Sequence, residues 1–379
     1  MLSLALKMLF GDKGKYWMLI GGLTFASLLM TQQSSVFCGI MLWTTATLSN
    51  CRASIWVVDP NVQQVNEIRS MRDTDVNRVR TVDSVAWAVP LYWTILQAKL
   101  IDGTFQNVQL VGLESTTFVG RPEKMIQGKL EDLLLPKTVV VDTLAIQKLS
   151  VGRSKPLEMG DVFEINDKEA RIVGICETHR SFIGTPYIFT TYDQAIQYSP
   201  KTRKMLSFVL AEPKPGYTDE KVAEQIANET QLKAYTEHEF QWATMKWYFI
   251  NTGIPISFGT TIIMGFIVGI AICGQTFYTF VLDHLKHLGA LKAMGASNFL
   301  LARMVLVQAF TVGFIGYGCG VGLASWFGYI VIAKTQPPFF MPYQLPLVTF
   351  GVIILICSFS ALIGIIKVWR LEPAIVFRG

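Results

Sequence analysis

The chain has 379 residues, a net charge of +5, 51% apolar residues and only 16% charged residues. A soluble domain usually carries about 25% charge, so this composition excludes an ordinary soluble globule. The absence of a Lys/Arg cluster interleaved with aromatics excludes a nucleic-acid-binding surface.

In chain order, the first fifteen residues, MLSLALKMLFGDKGK, pattern as a short amphipathic helix lying along a membrane face or extending the helix that follows it. Four stretches lack charge altogether: 16–51, 247–282, 304–333 and 335–366. A hydrocarbon core about 30 Å thick needs about 20 apolar helical residues, so each stretch is long enough to span. The first reads as a span rather than a cleaved signal peptide, because it is too long and follows a fifteen-residue lead. Lys7, Lys13 and Lys15 precede the first span, Lys286, Lys292 and Arg303 lie between the second and third, and Lys367, Arg370 and Arg378 follow the fourth. Basic loops stay inside, so both termini are expected in the cytoplasm of a bacterial inner membrane, with 47–246 outside. Trp17, Trp43, Trp247, Tyr248 and Trp369 fall at the expected interfaces.

The external segment reads as a mixed α/β domain. Strand-like runs at Ser84–Trp93, 108–113, 138–141, 170–175 and 187–191 are bounded by Gly, Pro, Asn and Asp. Ile165-Asn166-Asp167-Lys168 reads as a hairpin turn, and helical patterns occupy 62–79, 142–149, 192–197 and 219–227. A strand-rich lobe at about 107–190 is expected to be inserted into a lobe built from both flanks. Cys51 and Cys176 belong to this segment; they could pair in an oxidising compartment or be unrelated thiols.

No phosphate-loop motif, His-Glu-x-x-His or Cys-x-x-Cys occurs, so no catalytic residue, metal site or cofactor is assigned to this chain. His284 and His287 share a helical face without a third ligand beyond Asp283, and Glu237-His238-Glu239 reads as a solvated linker. The spans hold no ionisable residue of the kind that marks an ion path. They hold instead Gly-x-x-x-Gly pairs at Gly265/Gly269, Gly316/Gly320 and Gly318/Gly322, which permit close helix packing within or between subunits. Pro255 is expected to kink the second span.

The most informative segment is His284–Ser297, HLKHLGALKAMGAS, where Leu285, Leu288, Leu291 and Met294 recur every third residue. It resembles the segment after the second span in the MacB/FtsX-like family of ABC transporter permeases, whose members carry a form of Arg-x-x-Glu-Ile-Gly-x-Leu-Lys-Ala-x-Gly-Ala-Ser. Gly289, Leu291, Lys292, Ala293, Gly295, Ala296 and Ser297 match; His287 takes the acidic position and Leu288 the usual Ile. The tail Arg370-Leu371-Glu372-Pro373-Ala374, and Val139–Asp142 followed by Gly160-Asp161-Val162 and 170–174, are also similar to family segments. The extent of the match looks closest to DevC-like permeases.

The resemblance implies a four-helix membrane protein with a two-lobed, mixed α/β MacB-like domain between helices 1 and 2. Its parts would be an amphipathic helix 1–15; spans at 16–46, 247–282, 304–333 and 346–366; a periplasmic domain at 47–246; a coupling helix at 283–303; an external loop at 334–345; and a tail at 367–379. It also implies a homodimer driven by a separate cytoplasmic ATPase, which binds ATP and Mg and docks on 284–297, His284 included. A periplasmic adaptor (a membrane fusion protein) and an outer-membrane channel would complete an exporter of lipid, lipoprotein, peptide or drug-like substrates. The alternative is an FtsX-like subunit that transmits force to a cell-wall hydrolase and transports nothing.

Overall fold

The computed structural model describes residues 2–67, 69–200, 206–335 and 338–369. It divides into two compact units, one formed by 1–40 with 253–379 and the other by 41–252.

The first unit is helical. It holds α1 (Leu2–Gly11) and most of α2 (Lys13–Thr44), and later the helices of the second, third and fourth spans. The face of α1 that carries Ala5 and Leu9 is fully buried, and Gln308 donates to the carbonyl of Ala5 at 2.7 Å. The amphipathic pattern at the N-terminus is therefore a packing face inside this unit.

The second unit begins at the end of α2. In chain order it contains α3 (Ala46–Asn50), β1 (Ile55–Val58), α4 (Thr74–Arg80), β2 (Val85–Lys99), β3 (Phe105–Leu113), β4 (Lys124–Gly128) and a 3-10 turn at Leu130–Leu134. There follow β5 (Thr138–Asp142), α5 (Thr143–Leu149), β6 (Val162–Ile165), β7 (Lys168–Glu177), β8 (Tyr187–Thr191) and α6 (Tyr192–Tyr198). It closes with β9 (Phe208–Pro213), α7 (Asp219–Thr230), β10 (Lys233–Thr236) and α8 (Glu237–Asn251). The strands run in the order β10-β1-β9-β2-β3-β8-β5-β7-β4, with β6 bridging β2 and β7.

The long strand β2 joins two lobes. Its first half, to Leu91, pairs with β9, and its second half, from Tyr92, pairs with β3. One lobe is made of the chain flanks, β1, β9 and β10, and the other of everything from β3 to β8. Both faces of the sheet are covered, so β1 (IWVV), β5 (TVVVD) and β8 (YIFTT) are buried at every position. The period of two is nevertheless visible in the packing. Trp56 and Val58 enter one core, with Trp93, Tyr187, Phe208 and Phe240, while Ile55 and Val57 enter another on the opposite face, under α4 and α7. A third core lies under α5 and α6.

The hairpin read at 165–168 forms, with Asn166 and Asp167 both at positive φ (48° and 60°) between β6 and β7. Such a two-residue turn suits Asn and Asp. The helix expected over 62–79 is reduced to Thr74–Arg80. Val62 and Val65 are drawn instead into the core beside Trp56, and Asn66 is used for a helix end described below. The strand expected to end at Trp93 continues to Lys99 because its second half acquires β3 as partner.

The second span, expected over 247–282, is two helices. α8 ends at Asn251, Thr252 is extended (φ −120°, ψ 156°), and α9 (Ile254–Asp283) begins anew after Gly253. Pro255 does not kink a helix. It lies in the first turn of α9, where its missing N–H costs nothing. α10 (Leu285–Ala293), α11 (Asn298–Thr335) and α12 (Gln344–Trp369) complete the chain. The third helix thus starts at Asn298 rather than 304, and the fourth extends beyond 346–366 at both ends. The tail motif 370–374 lies outside the described residues. Helices Lys13–Thr44, Ile254–Asp283, Asn298–Ile332 and Gln344–Trp369 are long and apolar enough to cross a membrane.

Candidate functional site

Two places carry the arrangements that matter. The first is the helical hairpin 284–299. His284 ends α9: its backbone N–H and its Nδ1 both meet the carbonyl of Phe280, and its ring lies 4.3 Å from the Phe280 ring. His287 is 5.9 Å from His284 and exposed. The leucine stripe divides. Leu288 is buried with Gly289, and Leu291 packs against the same core, whereas Met294 is 76% exposed. The stripe therefore anchors α10 to its own unit. The free surface is instead that of His287, Ala290, Ala293, Met294 and Phe299. Lys292 extends to the carbonyl of Trp369 at 3.4 Å.

The Gly-Ala-Ser segment has a backbone role. Gly295 has φ +96°, its N–H bonds the Lys292 carbonyl, and the Ala296 N–H bonds the Leu291 carbonyl. This pair of bonds is the Schellman motif, which closes a helix with a residue in the left-handed region. A Cβ on Gly295 would meet nothing within 4 Å. Two residues later the Ser297 hydroxyl accepts from the Leu300 N–H at 3.2 Å and caps α11. Ala293 to Ser297 is thus a stop signal followed by a start signal, and it fixes where one helix ends and the next begins. Beside it, Lys15 pairs with Asp12 and with Asp283. Burial raises the Asp12 carboxyl, but its hydrogen bonds to Lys15 outweigh that and hold it below the ordinary value.

The second place is the end of α2 in the sheet-bearing unit. A helix leaves its last four carbonyls without intrahelical partners, and here each one is met. The Met41 carbonyl accepts from the Thr44 hydroxyl, and the Leu42 carbonyl from the Thr45 N–H and hydroxyl. The Trp43 carbonyl accepts from the Phe182 N–H, and the Thr44 carbonyl from Asn66 Nδ2 at 2.8 Å. Next to these, Asn50 and His179 exchange two bonds of 2.7 and 2.8 Å, and the Tyr187 hydroxyl meets that of Thr47. None of these partners was legible in the sequence, because Asn66 lies in a stretch whose spacing reads as a helix and Phe182 in one with no periodic pattern. Cys51 and Cys176 are free, buried thiols of one core, and burial pushes Cys51 up to about 12. Glu237-His238-Glu239 is no linker. Thr236 and Glu239 form a reciprocal capping box that starts α8.

Of the six glycines in the Gly-x-x-x-Gly pairs, four are packing positions. A Cβ on Gly316 would lie 2.6 Å from Leu23 Cβ, and one on Gly320 2.5 Å from Ser27 Cβ, so α11 and α2 approach backbone to backbone. Gly265 and Gly269 face Leu29 and Ala26 at 3.1 and 3.0 Å. Gly318 and Gly322 face open space. The sheet-bearing unit also has two adjoining polar clefts, of about 580 and 430 Å³, which share Arg52, Ala53 and Glu212. Arg52 bonds Glu123 at 2.9 Å across one of them.

Four apolar helices with one mixed α/β domain inserted between the first and second, and a short capped helix between the second and third, describe a multi-pass membrane protein. Residues 36–229 match the MacB-like periplasmic core domain and residues 244–373 the FtsX-like permease C-terminal domain. The chain belongs to the MacB/FtsX-like family of ABC transporter permeases. It is 22% identical over 237 residues to an uncharacterized ABC transporter permease of Methanocaldococcus jannaschii, covering 59% of each chain. Among solved structures it is similar to the periplasmic region of MacB from Actinobacillus actinomycetemcomitans, at 14% identity and a TM-score of 0.38. That match covers 54% of this chain and 95% of the other. It is also similar to the extracellular domain of the ABC-type transporter YknZ from Gram-positive bacteria, at 13% identity and a TM-score of 0.35, covering 48% of this chain and 98% of the other.

Proposed function

We propose that this chain is the inner-membrane permease subunit of an ATP-driven exporter, with both termini in the cytoplasm and 47–246 in the periplasm. A separate ATPase binds ATP and Mg and docks on the exposed surface of α10 and the start of α11, formed by His287, Ala290, Ala293, Met294 and Phe299. The protein works as a homodimer. Its external domain hands a lipid, lipoprotein, peptide or drug-like substrate to a periplasmic adaptor and an outer-membrane channel. The chemical work of ATP hydrolysis belongs to the partner chain, and this subunit carries motion.

The observation that carries this reading is the end of α2. Force conducted along a helix is lost if its last turn frays, and all four terminal carbonyls of α2 are held.

The test is affinity purification from the native membrane in mild detergent, of the unaltered chain and of Ala293→Arg. A phosphate-loop ATPase and an adaptor are expected with the unaltered chain, and the ATPase is lost from the variant. Recovery of no ATPase refutes the reading. Recovery of an ATPase with a cell-wall hydrolase and no adaptor replaces it with FtsX-like force transmission.

A further inference from the structure

The loop between β7 and β8, residues 178–186, is braced to an unusual degree. Gln109, fully buried, donates from Nε2 to the Ser181 hydroxyl, the Thr185 hydroxyl and the Thr185 carbonyl, at 2.7, 2.7 and 3.1 Å. The Gly184 N–H closes a turn on the Ser181 carbonyl, and Lys148 Nζ reaches the Gly184 carbonyl at 2.6 Å. Asn50 holds His179 by two bonds, and the Phe182 N–H is bound to the Trp43 carbonyl at 3.1 Å. Ser181 and Thr185 are 2% and 5% exposed. The apex between them carries Phe182 and Ile183, which are 37% and 48% exposed. Polar side chains are buried to hold two large apolar ones outside the core. That is the reverse of what stability alone favours, because exposing such a pair forfeits transfer free energy.

The depth of the apex identifies what it meets. α2 is one uninterrupted helix, and Trp43 lies 28 residues beyond Lys15. At 1.5 Å per residue this is a rise of about 42 Å. A bilayer with both headgroup layers is about 40–45 Å thick. With Lys15 at one headgroup layer, the Trp43 carbonyl that binds Phe182 is at the other. The Phe182 ring also packs edge-on to Tyr248 at 5.3 Å. Leu42, next to Trp43, and Ile250, two residues after Tyr248, are 41% and 66% exposed. We infer that the 178–186 loop is a membrane anchor of the external domain, with Phe182 and Ile183 inserted among the lipids of the far leaflet at the headgroup–acyl boundary. The inference rests on α2 spanning the bilayer and not on the proposed transport, so the two can fail separately.

The test uses the full chain in phospholipid nanodiscs. In a background with Cys38 and Cys319 replaced by Ala, since the other four cysteines are buried, Ile183→Cys is labelled with an environment-sensitive fluorophore. Ile101→Cys, on the β2–β3 hairpin and 62% exposed, is the control. The Ile183 label is expected to emit further to the blue, to be quenched by lipids carrying a nitroxide near the headgroup, and to be several-fold less open to iodide than the Ile101 label. Equal iodide quenching at both sites, with no lipid quenching, overturns the inference. Protection from iodide without lipid quenching also overturns it, because a protein surface then covers the apex. Phe182→Cys repeats the measurement on the neighbouring side chain and must agree.

Discussion

Substitution of Gly295 separates two explanations of the Lys292–Ser297 motif. If the glycine is needed because a partner requires a small residue there, Ala is the mildest change and any longer side chain is worse. If it is needed because φ is +96°, the order is different. Ala loses the left-handed conformation at a cost of about 1–2 kcal/mol, while Asn, which tolerates that region, keeps most of the cap. Steric crowding contributes nothing, since a Cβ meets no atom within 4 Å. α10 has nine residues and is too short to hold itself together, so the loss falls on the two capping bonds from Gly295 and Ala296. Amide hydrogen exchange on the full chain in nanodiscs reads this directly. The Ala296 amide of Gly295→Ala should exchange about 5–30 times faster than in the parent, the ratio corresponding to that penalty. Gly295→Asn should stay close to the parent. Exchange faster in Asn than in Ala would refute the backbone reading and restore the surface one.

Three further outcomes are expected. Gly316→Val or Gly320→Val should cost about 1–3 kcal/mol by overpacking against Leu23 or Ser27, while Gly318→Val and Gly322→Val leave the thermal midpoint in detergent unchanged. Asn66→Ala leaves the Thr44 carbonyl without its side-chain donor and should cost about 1–3 kcal/mol, seen as faster amide exchange over 41–50 with β5 and β8 unaffected. Asp142 is 2% exposed and accepts from Ala145, Tyr187 and Thr178. Burial pushes its carboxyl up to about 6, with those bonds and Arg180 pulling back. The folded state therefore binds this proton more tightly than the unfolded chain. The stability it contributes is fully present below about pH 4 and is lost as pH rises through about 6, on the order of 3 kcal/mol. Thermal unfolding of the external domain across that range should show the decline, and Asp142→Asn should flatten it.

Element types were legible where one period dominated. The buried runs of β3, β5 and β8 and the four spans needed only length and composition, and Asn166-Asp167 announced its turn. The element β1 was missed because IWVV is only four residues long and buried on both faces, so it shows no alternation. Over 62–73 apolar residues recur with helical spacing, yet Val62 and Val65 serve a core on the sheet and Asn66 serves α2, so tertiary demand overrode the pattern. In the candidate site the sequence singled out 284–297 by its leucine spacing but not what that spacing packs against. A leucine every third position has the same appearance whether the stripe faces a partner or its own bundle. The roles of Gly316 and Gly318 differ only because one meets Leu23 and the other meets nothing, and two glycines two residues apart carry no mark of that.

The two crossings of the chain between its units are built differently. At 40/41 the chain crosses inside α2, with no break in the helix. At 252/253 it crosses at an extended Thr252 followed by Gly253, between a helix closed by the Thr252 N–H and hydroxyl on the Tyr248 carbonyl and a fresh helix opened by Pro255. A continuous helix transmits both push and rotation. A two-residue break between well-formed helices transmits tension but lets direction change, since φ and ψ at a few positions can absorb the turn. The break before Pro255 is a local change of backbone direction inside a stretch, 247–282, whose unbroken apolar composition reads as one helix.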